Sequence, residues 1–133
     1  MAYQTDESMP QPIIYVDTSE VRNGKLEELE RAMKALASFV EANVPQLISY
    51  GFFLNEDRTR MNVVAVHRDS ASLQFHMDTG AAEFRKFAHL IDLVSIDVYG
   101  RVSEAVLNRL HQKAHALGAA TVTVHEFYAG FAR

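Results

Sequence analysis

The chain has 133 residues, of which 48% are hydrophobic and 23% charged, and it contains no cysteine. This composition is typical of one folded domain, and it excludes disulfides, thiolate metal sites and a cysteine nucleophile. The net charge of −4 and the scattered basic residues argue against a nucleic-acid partner, and without a secretion signal or an apolar run of bilayer length we expect a cytoplasmic protein that binds no membrane.

The first third of the chain predicts a tail, a strand and a helix. Residues 1–11 are polar and include Pro10, which predicts a flexible tail. The β-branched and aromatic run IIYVD predicts a strand over residues 12–17. An amphipathic helix should follow and end before Pro45. Its apolar residues recur at spacings of three and four: Leu26, Leu29, Met33, Leu36 and Val40.

The middle of the chain predicts two strands and a helix. The strands should cover residues 46–55 and 61–68 and pair antiparallel across the polar loop EDRT. The helix is expected to be capped by Ser70 and to break or kink at Thr79-Gly80. Helical spacing then resumes with Phe84, Phe87, Leu90 and Ile91.

A fourth strand is predicted over residues 94–99, where Val94, Ile96 and Val98 should share the buried side. The resulting order β-α-β-β-α-β predicts an α+β ferredoxin-like fold with an antiparallel sheet over residues 12–100. Residues 101–133 extend the same domain by a helix that begins after Ser103 and a strand, TVTVHEFY. Because both helices of such a fold cover one face of the sheet, a second copy is expected to cover the other face, which predicts a homodimer.

Residues 12–100 resemble the antibiotic biosynthesis monooxygenase-like group of dimeric α/β barrels. The resemblance rests on Gly24-Lys25 before a Glu- and Leu-rich helix, on MNVVAVHRDSASLQFHM and on EFRKF. In the family, a strand that often ends in Trp leads into a helix, a His-Leu pair, a Ser- or Thr-containing break and two spaced aromatic residues. Here His67 stands at the Trp position, His76-Met77 matches the His-Leu pair, and Phe84 and Phe87 match the aromatic residues.

The resemblance implies a homodimer with a cleft between sheet and helices, and oxygenation of a quinol, phenol or anthrone without a cofactor. Such chemistry needs a base that converts the substrate into an electron-rich anion, and an apolar wall. We predict His76 as the base and His67 as the second candidate, because imidazole titrates near neutral pH. The residues predicted to bind the small aromatic or apolar substrate are Tyr15, Asp17, Tyr50, Phe52, Phe84 and Phe87, with Phe75 as a further wall residue.

Three alternatives remain open from the sequence. The first is a protein that binds a small ligand or acts in stress without catalysis, because a histidine in an apolar helix is more often a packed residue than a catalyst. The second is a haem-binding or haem-degrading protein with His89 as the iron ligand, although the chain lacks the tryptophan of the haem-degrading relatives. The third concerns His111 and His115, which have the spacing of a zinc-binding pair but lack its glutamate, so no metal site is expected there.

Overall fold

The computed structural model describes residues 12–131, so the predicted tail at 1–11 lies outside the described residues. Strands and helices follow in the order β1 (Ile13–Val21), α1 (Leu26–Asn43), β2 (Ser49–Leu54), β3 (Arg60–His67), α2 (Ser70–Arg85), β4 (Ile91–Tyr99), α3 (Glu104–Ala116) and β5 (Gly118–His125). The five strands form one sheet in the order β2-β3-β1-β4-β5. The predicted ferredoxin-like fold with a helix–strand extension is confirmed.

The sheet has one face covered by helices and one open face. Strands β1 to β4 pair antiparallel, and β5 adds to the β4 edge in parallel orientation. Alternate side chains of β1 and β3 are buried on the helix side, from Ile13 to Ser19 and from Met61 to His67. The buried stripe of α1 packs over them and consists of Leu29, Met33, Leu36 and Val40. The apolar side chains that recur every two residues in the strands and every three to four in the helix therefore pack into one core.

Helix α2 differs from its prediction at both places where the sequence suggested a boundary. Its N-cap is Asp69, whose carboxylate accepts a hydrogen bond from the Ser72 backbone N–H at 2.8 Å. Ser70 instead accepts a hydrogen bond from the backbone N–H of Ser103 at 2.8 Å and so joins the starts of α2 and α3. The predicted break at Thr79-Gly80 is wrong, because the helix continues through it to Arg85. The Phe84 ring packs over the helix at this point because Gly80 has no Cβ to collide with it.

Strand β4 is longer than predicted and contains an irregularity. Its pairing with β1 shifts register between Thr18 and Ser19, and its pairing with β5 shifts between Leu93 and Ser95. Val94 is consequently 37% exposed, whereas Leu93 and Ile96 are buried. The prediction that Val94 shares the buried side is therefore wrong, since one extra residue reverses the alternation on one side of a bulge.

The α3–β5 extension completes the helix layer. Ser103 caps α3 as predicted, with its hydroxyl accepting from the Val106 backbone N–H at 3.2 Å. The buried side of α3 is formed by Val106, Leu110 and Ala114. Strand β5 ends at His125, three residues earlier than predicted. Within residues 12–131, no helix has both the length and the apolar content that a membrane span requires.

Candidate functional site

A small cavity of about 30 Å³, here called the inner chamber, lies between the sheet and the helices. This volume holds about one water molecule. Most of its wall is aliphatic or aromatic, and only three of its residues carry polar side-chain groups: Asp17 from β1, Tyr50 from β2 and Lys113 from α3. The remaining wall residues are Leu36, Phe52, Met61, Val63, Phe84, Phe87, Ile91, Leu93 and Leu117.

Asp17 is the centre of a buried polar cluster at this chamber. Its side chain is 4% exposed, and its Oδ2 accepts hydrogen bonds from the Tyr15 hydroxyl at 2.6 Å and from Lys113 Nζ at 3.3 Å. Lys113 Nζ also donates to the Tyr15 hydroxyl at 2.8 Å. The second carboxylate oxygen, Oδ1, is buried and has no hydrogen-bond partner among the described residues. A buried acceptor without a partner is costly to a fold and is found where a ligand or water completes it.

Lys113 reaches the cluster between the aromatic rings of Phe84 and Tyr15. Its Nζ lies 4.6 Å from the ring centre of Phe84 and 4.9 Å from that of Tyr15, within the range of cation–π attraction. Lys113 is not among the site residues predicted from the sequence, because it lies in the extension, beyond the residues that carry the resemblance. A signal was present, since this lysine stands three residues after Leu110 and four before Leu117, within the apolar stripe of α3.

Tyr15 of the cluster and Tyr50 of the chamber wall remain protonated over the ordinary pH range. The pKa of Tyr15 is raised well above its usual 10.0, first by burial and then by the charge of Asp17 and its hydrogen bond. The pKa of Tyr50 is also raised, by burial and by the charge of Asp17. Both hydroxyls can therefore donate hydrogen bonds, whereas Asp17 Oδ1 can only accept one when ionised.

His76 and His67, the predicted bases, are buried side by side but do not line the inner chamber. Their ring centres are 5.2 Å apart, and the His76 ring also packs 5.3 Å from Tyr50 and 5.2 Å from Phe84. Burial lowers the pKa of His76 to about 3, with the charges of His67 and Lys113 adding to the effect. Burial lowers the pKa of His67 to about 4. Side chains alternate between the two faces of the sheet along β3, and His67 lies on the face that the helices cover. The sequence alone left this orientation open.

Of the predicted substrate-binding residues, five line the inner chamber: Asp17, Tyr50, Phe52, Phe84 and Phe87. Tyr15 is buried behind it and reaches it only through Asp17 and Lys113. Phe75 is 53% exposed, so its prediction as a wall residue is wrong. It lies on the side of α2 that faces solvent, because it is one residue from buried His76 in a helix.

The remaining histidines lie away from the inner chamber. His89 is 57% exposed and forms a 3.1 Å contact with Glu28, so the ligand proposed for haem does not face the chamber and haem does not fit this site. His111 and His115 are exposed on α3, and no group of three potential metal ligands occurs within residues 12–131. His125 pairs with Asp97 at 2.8 Å on the open face of the sheet.

A second cavity, here called the outer cleft, opens between α2 and α3 with a volume of about 160 Å³. It shares Phe84, Lys113 and Leu117 with the inner chamber. Phe84 and Leu117 therefore lie between the polar cluster and the outer cleft, and Lys113, a member of the cluster, lines both cavities. The other residues of the cleft are Met77, Ala81, Arg85, Arg109, Gln112 and Ala116.

Residues 12–90 match the family model described as antibiotic biosynthesis monooxygenase. No curated protein matches the chain at a significant level. Among solved structures, MupZ from Pseudomonas fluorescens is 19% identical with a TM-score of 0.71, covering 92% of this chain and 95% of its own. A match of that extent must include most of the α3–β5 extension.

Two further structures match the domain with less of the chain. A putative antibiotic biosynthesis monooxygenase from Caulobacter crescentus is 22% identical with a TM-score of 0.60, covering 67% of this chain and 88% of its own. A variant of SnoaB, a cofactor-independent oxygenase from Streptomyces nogalater, is 14% identical with a TM-score of 0.58, covering 70% and 93%. At these identities the matches show a shared fold.

Proposed function

Since this chain belongs to the antibiotic biosynthesis monooxygenase family, we propose that it is an oxygenase without a cofactor that acts on a small phenol, quinol or anthrone bound between sheet and helices. The resemblance of its fold to SnoaB, a cofactor-independent oxygenase, supports this reaction class. The observation that carries the proposal is the buried Asp17 carboxylate, which has one oxygen fixed by neighbours and one without a partner.

In this reaction Asp17 is the base. Tyr15 and Lys113 hold Oδ2, so the unpartnered Oδ1 is the atom that accepts the substrate proton. The imidazole of His76 is less suited to this step, because burial has made its protonated form unfavourable and its ring does not line the chamber. A base must be able to hold the proton it takes as well as reach it.

Lys113 and Tyr50 stabilise the anion that this proton transfer creates. Lys113 and Tyr50 both line the chamber, and Tyr50 keeps its proton because its pKa is raised. Donors held in position in an apolar chamber stabilise negative charge more strongly than water does. The result is a substrate anion, surrounded by aromatic side chains, that can give electrons to dioxygen.

The overall reaction takes all its electrons from the substrate. A phenol with a hydrogen on the para carbon, or an anthrone at its methylene carbon, loses four electrons to one O₂ molecule, and a quinol does so at a ring carbon that bears hydrogen. One oxygen atom forms a new carbon–oxygen bond, giving a quinone from the phenol or anthrone and a hydroxyquinone from the quinol, and the other leaves as water with two hydrogens of the substrate. No external reductant or bound group is required by this balance.

The substrate reaches Asp17 from the outer cleft by displacing the Phe84 ring and the Leu117 side chain. The inner chamber alone holds about one water, so only the reacting edge of an aromatic ring enters it after this movement. The body of the ligand lies in the outer cleft, which is larger and shares the same two side chains.

Oxygen uptake in metal-free buffer tests this proposal with a panel of electron-rich naphthols, quinols and 1,8-dihydroxyanthrone as probes. We expect uptake with at least one probe and quinone formation in equal amount. Asp17→Asn, which keeps the size of the side chain, should lower the rate by roughly 100-fold or more, the range typical of a lost general base. The absence of uptake with every probe would contradict the proposed activity.

His76→Asn is the matched control for the assignment of the base. It should retain most of the rate, because His76 packs behind the chamber wall. If His76→Asn loses activity while Asp17→Asn keeps it, the base is the histidine and our assignment is wrong. Circular dichroism of both variants establishes that the rates refer to folded protein.

The same proposal includes a homodimer in which two copies pack through the open face of the sheet. The part of this face near the β1–β3 pair is rich in apolar side chains of partial exposure: Ile14, Val16, Val64 and Val66, with Phe53 and Tyr99 nearby. A surface of this kind is unfavourable in water and is normally covered. The helix side, with the inner chamber, stays free in such an assembly.

A further inference from the structure

The outer cleft carries more positive charge than the domain around it. The chain as a whole has a net charge of −4, yet the charged side chains of the cleft are all basic: Arg85, Arg109 and Lys113. Lys113 is neutralised by Asp17, and Arg109 forms a 2.7 Å ion pair with Asp78. Arg85, the last residue of α2, is exposed and has no ion pair or side-chain hydrogen bond to any of the described residues. The cleft therefore has one unbalanced cation at its mouth.

The rest of the cleft is suited to an apolar body. Its walls include Met77 and Ala81 from α2 and Ala116 and Leu117 from the end of α3. Ala81 and Ala116 have short side chains, which leave space in the cleft between the two helices. The α3 wall lies beyond residues 12–90, the part of the chain that matches the family model, so this cleft is a feature of the extension.

We propose that the outer cleft binds a monoanionic group of the ligand at Arg85, so that the substrate is an aromatic acid and not a neutral phenol. This inference rests on the proposed function, because it assumes that the ring of the same molecule reaches Asp17. Arginine forms paired hydrogen bonds with a carboxylate, and the Gln112 amide on the opposite helix can donate a third. The unbalanced charge is a single one, which matches a carboxylate.

Lys113 and Asp17 would then select the orientation of the ligand. Their charges cancel at the inner end, whereas Arg85 leaves a positive charge at the outer end. An aromatic acid is therefore favoured with its carboxylate at the mouth and its ring toward Phe84, and the reverse orientation would bring the carboxylate close to that of Asp17. Like charges at short distance in an apolar site repel strongly.

Two fluorescent probes with the same aromatic body test the site independently of any oxygenation. The anion 8-anilinonaphthalene-1-sulfonate and the neutral N-phenyl-1-naphthylamine differ by the sulfonate, which stands in for the carboxylate. We expect Arg85→Gln to weaken binding of the anion by roughly twofold to fivefold, the range of an exposed ion pair, and to leave the neutral probe unchanged. Raising the salt concentration should reduce the difference between the probes.

Lys86→Gln is the matched control, since it removes the same charge one residue away at a side chain that is 68% exposed and paired with Glu83. It should leave both affinities unchanged. Ala116→Trp fills the cleft and should abolish binding of both probes there. If both probes still bind to Ala116→Trp, or if Arg85→Gln and Lys86→Gln have equal effects, the inference is wrong.

The outcome is separable from that of the oxygenase test. Probe binding is measured without turnover, so loss of the anion preference in Arg85→Gln supports the site even if no oxygen uptake is found. Conversely, oxygen uptake that depends on Asp17, together with unchanged probe binding in Arg85→Gln, leaves the oxygenase intact and removes the anion site alone.

Discussion

At the scale of single residues, His67 and His76 are the side chains whose protonation is most opposed by the fold. Both are almost fully buried, and three of their four ring nitrogens have no hydrogen-bond partner among the described residues. The groups that face them add little compensation, since Lys113 is positive and only Asp69, near His67, favours a protonated ring. Each imidazole is therefore neutral in the folded protein at pH values where the unfolded chain is charged.

This difference predicts that the protein loses stability as the pH falls. The unfolded chain takes up a proton at each histidine below pH 6.5, whereas the folded protein does so only near pH 4 at His67 and near pH 3 at His76. The stabilising contribution is complete above pH 6.5 and is lost between that value and the folded pKa. At pH 5 each histidine should lower the free energy of unfolding by about 2 kcal/mol relative to pH 7.5.

Urea unfolding at pH 7.5 and pH 5.0 measures this loss. His76→Leu cannot be protonated, so its loss between the two pH values should be about 2 kcal/mol smaller than that of the unmodified protein. His111→Leu is the control, because it removes a histidine that is exposed on α3. Equal pH dependence in all three proteins would show that the buried imidazoles are not what titrates.

The residue types of the site were easier to predict than its partners. Four predicted aromatic residues line the chamber, Tyr50, Phe52, Phe84 and Phe87, because an aromatic residue on an alternating strand or a spaced helix face has only one buried side to occupy. Lys113 was not predicted, since its contact with Asp17 joins residues 96 positions apart. Such a contact depends on how α3 is placed against β1, and no local pattern encodes that placement.

At the scale of elements, helix α2 continues through a glycine at which the sequence predicts a break. The prediction at Gly80 rests on the fact that glycine weakens helices, yet the helix is continuous there. A Cβ at this position would lie 2.6 Å from Cζ of Phe84, the residue one turn later. The glycine therefore makes room for the ring that separates the inner chamber from the outer cleft.

A double-mutant cycle tests this packing. Gly80→Ala should lower the free energy of unfolding by about 1–2 kcal/mol, because the clash outweighs the gain in helix propensity. In a Phe84→Leu background, where the ring is gone, the same change should raise stability by up to about 1 kcal/mol. Urea unfolding of the four proteins gives the coupling energy. If Gly80→Ala has the same effect in both backgrounds, the ring and the glycine are not coupled.

The order of elements followed from the sequence, whereas their irregularities did not. Apolar periodicity identified each helix and strand, because burial of one face is the main requirement on such segments. The bulge in β4 was missed because Val94, Ile96 and Val98 keep a regular alternation in the sequence. It follows from the pairing of β4 with two neighbours at once, where Gly118 of β5 lies so close to Leu93 that a Cβ would be 2.6 Å from its carbonyl oxygen.

At the scale of the whole molecule, one face of the sheet forms the candidate site with the helices, and the other is the face of the proposed dimer. The helix side encloses the polar cluster and the chamber, and in the proposed reaction the substrate enters between α2 and α3. The open side carries an apolar surface on the paired strands β1 and β3, and no other part of residues 12–131 covers it fully. This surface consists of Ile14, Val16, Val64 and Val66. A second copy on this face would bury this apolar surface and leave the cleft of each copy open.

Sedimentation equilibrium tests this assembly with one charged substitution on each side of the molecule. The unmodified protein should be a dimer at micromolar concentration, and Val16→Glu should be a monomer. Val16 lies on the central strand β1, so a symmetric interface would bury two carboxylates, each costing several kcal/mol. Phe75→Glu, on the solvent side of α2, should remain a dimer. A monomeric unmodified protein, or a Val16→Glu variant that stays dimeric, would contradict the sheet-to-sheet dimer, whatever the outcome for the chamber.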